Sequence, residues 1–255
     1  MRQTGLVLLI SLVSAALSGQ QAAVYRATGA DSGLFDQYDN DGFSLEVAAG
    51  ARGAVELRVR VSDSPLASAA PFPPLSRVEP DPPAAPDRDA FARRLAAGSL
   101  RQSDAVRRIL LGLVSRISYD PDRLRRQDPA AVFASRRAYC VGFAELAVDL
   151  LRRAGIPART VQGILRTDPG ADGYEAAIGG AYHRWIEVYY PDRGYVFSDP
   201  CSSVNGVDAR YIPFSRRALT RPRALSLVQV SLEGQLAYAT VAAGSHSVRV
   251  RATAP

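Results

Sequence analysis

Helices and antiparallel strands in separate stretches of chain are what this sequence predicts, on three observations. From Val141 to Ala154 the apolar residues Phe143, Leu146, Ala147, Leu150, Leu151 and Ala154 recur at three- and four-residue intervals, the period of a helix with one face in a core. Asp104 to Ile117 repeats that pattern with Val106, Ile109, Leu110, Leu113, Val114 and Ile117, and Ser103 stands where an N-cap is needed. Ala181 to Tyr190 is instead rich in aromatic and β-branched residues. Turn chemistry at Pro191 to Gly194 then leads into a returning strand from Tyr195 to Pro200.

Taken in order, the chain opens on Met1 to Ser18. One early arginine, an apolar run from Gly5 to Leu17 and small residues at Ala16 and Ser18 make the pattern of a secretory signal peptide, cleaved near Ser18 and too short for a comfortable membrane span. The expected destination is the periplasm or the extracellular space, with no stable membrane span after cleavage. Residues 19–62 read as an N-terminal β segment with strands at Phe43 to Val47 and Val55 to Val61, the second alternating Val55, Leu57, Val59 and Val61 against Glu56, Arg58 and Arg60. The acidic run from Asp36 to Asp41 lacks the terminal glutamate of a calcium loop and reads as surface loop. Residues 63–89 hold eight prolines, which disfavour helix and ladder and make an extended linker or strap. Residues 90–215 carry the two helices and the hairpin. Residues 216–255 form a C-terminal β segment whose strands, at Leu225 to Leu232, Gln235 to Val241 and Ser247 to Val250, are expected to pair with the N-terminal ones in a small β unit.

Nearly half of the residues (47%) are hydrophobic, which places the chain in the globular class. All 31 basic residues are arginine, and the net charge of +6 is scattered as pairs among acids instead of gathered in a block. That distribution reads as solvated helix faces, and no motif resembles a nucleic-acid-binding one.

Chemistry concentrates at three positions. Cys140 falls in the first turn of the helix that Gly155 and Pro157 terminate, where unpaired backbone N–H groups and the positive end of the dipole favour thiolate over thiol. The chain has two histidines. His246 sits in a Gly-Ser-His-Ser turn and reads as a surface residue, whereas His183 lies on the aromatic strand. Asp199 ends the returning strand, so a nucleophile, a base and an orienting carboxylate follow in that order. Two residues of a regular hairpin share a face only when their numbers sum to the same parity as every paired position, so His183 and Asp199 require a five-residue loop that pairs Tyr189 with Tyr195, or a bulge. The competing readings of Cys140 are a buried small hydrophobe or half of a disulfide with Cys201. Trp185, on the face of His183, and Tyr139 and Tyr182, adjacent to members of the set, are the substrate-binding candidates. The glycine-rich stretch from Arg166 to Gly180 is a candidate lid.

Three stretches together resemble a known family. C-x-x-F-A-x-L-x-x-x-L-L-R-x-A-G-I-P-A-R-x-V-x-G from Cys140 to Gly163, H-x-W-x-E-V-Y from His183 to Tyr189 and F-S-D-P from Phe197 to Pro200 are similar to the motifs of the transglutaminase-like superfamily of papain-type cysteine enzymes. Asp128 to Phe133, followed by Arg136 and Arg137, is similar to the short helix that leads into that family's cysteine. The resemblance covers roughly residues 100 to 215. It implies an α+β fold: a papain-like core in which a helix with an N-terminal cysteine packs on an antiparallel sheet carrying the histidine and the aspartate, with the small β unit at its flank. It further implies catalysis by Cys140, His183 and Asp199 through a thioester, on a peptide or protein substrate, with no metal or organic cofactor. The activity expected is that of an exported protease or amidase acting on peptide or isopeptide bonds. One alternative is a protein-glutamine transglutaminase using an amine from another molecule, since this chain contains no lysine. The other is a non-catalytic cell-envelope module that grips a peptide while Cys140 is bonded to Cys201.

Overall fold

The structure, a computed structural model, describes residues 19–30, 32–74, 82–167, 180–218 and 224–254. The expected signal segment Met1 to Ser18 and most of the candidate lid, residues 168–179, lie outside the described residues. The first strands follow from simple alternation. β1 (Gln20–Thr28), β2 (Tyr38–Asn40), β3 (Phe43–Ala49) and β4 (Val55–Ser62) pair antiparallel, and β4 buries Val55, Leu57, Val59 and Val61 while Arg58 and Arg60 face solvent. Of the acidic run, Asp36 accepts from the Ser215 hydroxyl (2.7 Å), and Asp41 pairs with Arg193 and Arg251.

The proline-rich stretch behaves as a strap over its first part. Ser68 and the backbone of Ala69 bond to the carboxylate of Asp192, and Leu66 is fully buried. Its end departs from the extended reading, because α1 (Pro86–Ala96) begins inside it. Pro86 stands in the first turn, where its missing N–H costs nothing, and Asp87 and Asp89 complement the dipole. The next helix, α2 (Gln102–Arg116), starts earlier than Ser103 would cap it. Ser103 is buried within its first turn, and the N–H of Gln102 donates to the strap carbonyl of Ala70 (2.9 Å), a tertiary partner in place of a side-chain cap.

There follow β5 (Ser118–Tyr119), α3 (Pro129–Ser135), β6 (Arg137–Ala138), α4 (Cys140–Arg153), β7 (Ala158–Leu165), β8 (Ala181–Tyr190), β9 (Gly194–Ser198), β10 (Ser203–Val204) and β11 (Tyr211–Pro213). Asp128 caps α3 through the N–H of Ala131 at 3.1 Å, and Arg136, left-handed at φ 57°, ends it. The antiparallel sheet β11-β7-β8-β9 carries the hairpin. Tyr189 pairs with Tyr195, and Tyr190 pairs in turn with Gly194, leaving only Pro191 to Arg193 as the loop. Gly194 supplies the positive φ (74°) that such a three-residue turn needs. The parity is the one that sets His183 and Asp199 on one face.

The last strands are β12 (Ser226–Gly234), β13 (Ala239–Ala243) and β14 (His246–Val250). β12 pairs with β1, completing the five-stranded sheet β12-β1-β4-β3-β2, as expected for the two chain ends. β13 and β14 do not join it; they form a separate sheet with β10. The divergence begins at Gly234 (φ 78°), and the N–H of Ala237 is then captured by the Asp63 carboxylate, which turns the chain away from the β1 edge. His246 is a half-buried member of the β13–β14 hairpin. The fold is therefore α+β with flanking β structure. α4 packs on one face of the four-stranded sheet, and α1 and α2 pack in turn on α4, in one core that includes Leu110, Leu146, Leu150, Ile186 and Val188. The other face of the four-stranded sheet packs on the five-stranded sheet through Trp185, Phe197 and Tyr211 against Phe43, Leu57 and Val59.

Candidate active site

Cys140 is placed by the start of α4. Tyr139 is extended (φ −99°, ψ −175°) and its N–H donates to Gln127 Oε1 at 3.2 Å, so the first free amides of the helix begin at the cysteine. His183 comes from β8, opposite Gly163 of β7. That position must be glycine: a Cβ there would lie 2.5 Å from the Trp185 ring and 2.2 Å from the carbonyl oxygen of Ile212. Trp185 can then slide beneath His183, and the two rings stack with centroids 6.1 Å apart. Asp199 follows β9 and is almost fully buried.

The structure brings Cys140, His183 and Asp199 together. His183 Nε2 lies 2.8 Å from Asp199 Oδ2, which leaves Nδ1 for its hydrogen bond with the Cys140 thiol. Asp199 Oδ2 also accepts from Tyr211 (2.7 Å) and Ser202 (3.0 Å), and Oδ1 accepts from the N–H of Cys201 (2.9 Å). Burial opposes the charge of Asp199, but His183 and these donors outweigh it and hold the carboxyl near 2. Burial likewise opposes an imidazolium at His183. Asp199 and the cysteine overcome it and raise the histidine well above its ordinary value. For Cys140, burial disfavours the thiolate, whereas His183 and the backbone N–H of Arg184 favour it more strongly and bring the thiol below its usual value. The arrangement therefore favours a thiolate and imidazolium pair.

Tyr139 and Tyr182 line the cleft of about 380 Å³ in front of Cys140, together with Tyr119, Pro121, Arg123 and Leu165. Trp185 does not: it is completely buried behind the imidazole, in contact with Phe197 and Tyr211. Sharing a strand face with His183 put it beneath the histidine, because the strand runs from the cleft into the core between the sheets. Cys140 and Cys201 are both free thiols, and burial together with Asp199 pushes the Cys201 thiol well up. Among the described residues, no group of three or more His, Cys, Asp or Glu side chains is disposed to hold a metal ion. None of their helices is long and apolar enough to cross a membrane.

Sequence reasoning missed Tyr211, Ser202 and the Arg184 amide. Only Ser202 is close enough in sequence to Asp199 to have been signalled. Tyr211 stands 12 residues beyond Asp199, on a strand too short to be recognised. Its hydroxyl withdraws charge from the carboxylate that steadies the imidazolium. Tyr211→Phe is expected to lower kcat about tenfold, the scale of one hydrogen bond to a charged group, and to move the basic limb of the pH–rate profile upward, because Asp199 then stabilises the imidazolium more strongly. A profile that keeps its shape would reduce Tyr211 to packing.

Residues 89–200 match the model of the transglutaminase-like superfamily. The chain is 30% identical over 128 residues to a protein-glutamine gamma-glutamyltransferase of Pseudomonas aeruginosa, covering 44% of this chain and 18% of that one. It is 39% identical over 75 residues to the uncharacterized protein YebA of Bacillus subtilis, covering 27% of this chain and 10% of that one. The chain thus spans less than a fifth of the length of either relative. The crystal structure of the periplasmic domain of TgpA from Pseudomonas aeruginosa is 16% identical, with a TM-score of 0.38, over 72% of this chain and 87% of that one.

Proposed function

We propose, from the match of residues 89–200 to the transglutaminase-like superfamily, that this protein is an exported cysteine acyl-transfer enzyme that hydrolyses peptide or isopeptide amides. The observation that carries the reading is the bonded series Cys140, His183 and Asp199 at the end of one cleft. The Cys140 thiolate attacks the amide carbonyl, and the backbone N–H of Cys140 at the helix start supports the developing oxyanion. His183 gives its proton to the leaving amine, and a thioester remains on Cys140. Water, deprotonated by His183, then attacks the thioester and releases the acid. Asp199 holds the imidazole in the tautomer that both steps use.

Transfer to an external amine is the second reading, favoured by the identity with a protein-glutamine gamma-glutamyltransferase. The free state of both cysteines speaks against a binding module closed by a Cys140–Cys201 disulfide. Dimethylated casein incubated with dansylcadaverine separates the outcomes. Fragments report hydrolysis, fluorescent intact chains report transfer, and Cys140→Ala is expected to give neither. Labelled intact casein without fragments would move the assignment to transamidation. No product at all from a folded protein whose thiol resists alkylation would end the acyl-transfer reading.

A further inference from the structure

The charge of the cleft differs from that of the chain as a whole. Between Ser118 and Cys140 there are five arginines and three aspartates. Asp120 is shared by Arg125 and Arg137, Asp128 pairs with Arg126 and caps α3, and Asp122 accepts the N–H of Leu124. Arg136 ends α3 and lies outside the cleft wall. Arg123 is left exposed on that wall, and among the described residues it has no carboxylate partner and no aspartate or glutamate lines the cleft. Next to it Leu124 is 97% exposed, and Tyr119, also on the wall, is 55% exposed and stacked on Phe143. A guanidinium without a carboxylate partner among the described residues, set beside bare apolar surface at the mouth of a nucleophile's cleft, matches an amphipathic acyl donor. Its planar fork fits a carboxylate with two parallel hydrogen bonds. The cleft volume lies within the range of small-ligand sites, about 300 to 1,000 Å³.

We infer that the cleft selects an acyl-donor peptide bearing a carboxylate within a residue or two of the reacting carbonyl, and that Arg123 is the residue that reads it. The inference rests on Cys140 as the nucleophile. A bromoacetyl group gives a direct probe, since the Cys140 sulfur displaces bromide and forms one carbon–sulfur bond without any further catalysis. Three reagents are compared in a Cys201→Ser background: bromoacetyl-Gly-Glu amide, bromoacetyl-Gly-Gln amide and bromoacetyl-Gly-Gln with a free terminal acid. Each rate is divided by that of bromoacetamide on the same variant. The expected result is an advantage of about tenfold for one of the two acids over the neutral amide. The faster acid tells a side-chain carboxylate from a terminal one. Arg123→Ala should bring the ratio to within about twofold, and Arg123→Lys should restore part of it, because a point charge keeps the attraction and loses the fork. Equal rates for all three reagents on the wild-type residue, or an advantage that survives Arg123→Ala, would overturn the inference while leaving the nucleophile intact. Failure of bromoacetamide itself to label Cys140 would take down the nucleophile and this inference with it.

Discussion

Cys140 in a His183→Ala variant is expected to alkylate only above the pH at which an ordinary thiol does, near 8.5, instead of well below it, and amide turnover is expected to fall by about 10⁴-fold or more. The sign follows from what remains. In the intact site, burial and the charge of Asp199 both disfavour the thiolate, and they are overcome by the hydrogen bond and charge of His183 with help from the Arg184 N–H. Removing the imidazole deletes the principal favourable partner and leaves both unfavourable ones, so the thiol moves past its free value. The native profile is expected to be bell-shaped. Its acid limb reports protonation of Cys140, held below the usual thiol range, and its basic limb reports loss of the proton from His183, held above the usual imidazole range. Iodoacetamide rates across pH, in wild type and in His183→Ala with Cys201→Ser as background, provide the measurement. An unshifted alkylation profile in the variant would show that the thiolate owes nothing to His183.

The second large effect concerns stability and turns on which member of a network stays buried. Glu187, on the strand that carries His183, is fully buried; it bonds to Arg159 and Arg216 and accepts from Asn40 Nδ2 at 3.1 Å. Asn40 belongs to the N-terminal sheet, so this carboxylate ties the two sheets together. The two arginine side chains keep 36% and 48% exposure and lie over Tyr195 and Tyr38. Either arginine can turn to water if the glutamate is lost, whereas the glutamate has no such recourse. The double variant Arg159→Ala, Arg216→Ala is therefore expected to cost about 3–5 kcal/mol, the scale of an uncompensated buried charge, and Glu187→Leu clearly less. For a chain of this length the larger loss lowers Tm by roughly 10 °C. Thermal melts of the two variants check the order, and a Glu187→Leu protein less stable than the double-arginine one would refute it.

How far the sequence carried can be argued element by element. The Cys140 helix and the His183 hairpin are local objects, each made by a period and a terminator within two dozen residues. Their geometry was therefore legible, down to the Tyr189 and Tyr195 pairing that the parity of His183 and Asp199 requires in the absence of a bulge. What was not legible depends on contacts distant in sequence. α2 begins without a capping side chain because a strap carbonyl 32 residues away takes its N–H, and α1 was hidden by the prolines before it. β12 and β13 are both strands, yet the chain turns at Gly234, Ala237 bonds to the distant Asp63, and β13 joins another sheet. Trp185 faces the same way as His183, as strand alternation predicts. Whether that direction leads to a cleft or to a core depends on the second sheet, which a strand pattern does not contain.

That second sheet sets the boundaries of any workable fragment. A piece trimmed to residues 89–200, where the superfamily match lies, keeps Cys140, His183 and Asp199 but ends before Tyr211 and loses the strands that cover Trp185 and Phe197. Phe43 and Tyr38, whose rings meet Phe197 at 4.8 and 5.7 Å, are also gone. Such a fragment would expose an aromatic face directly beneath the imidazole and release one of the donors that fix the carboxylate. The residues proposed to perform the chemistry and the residues that hold them in place are therefore encoded in different parts of the chain, and an expression clone or a domain graft has to carry both.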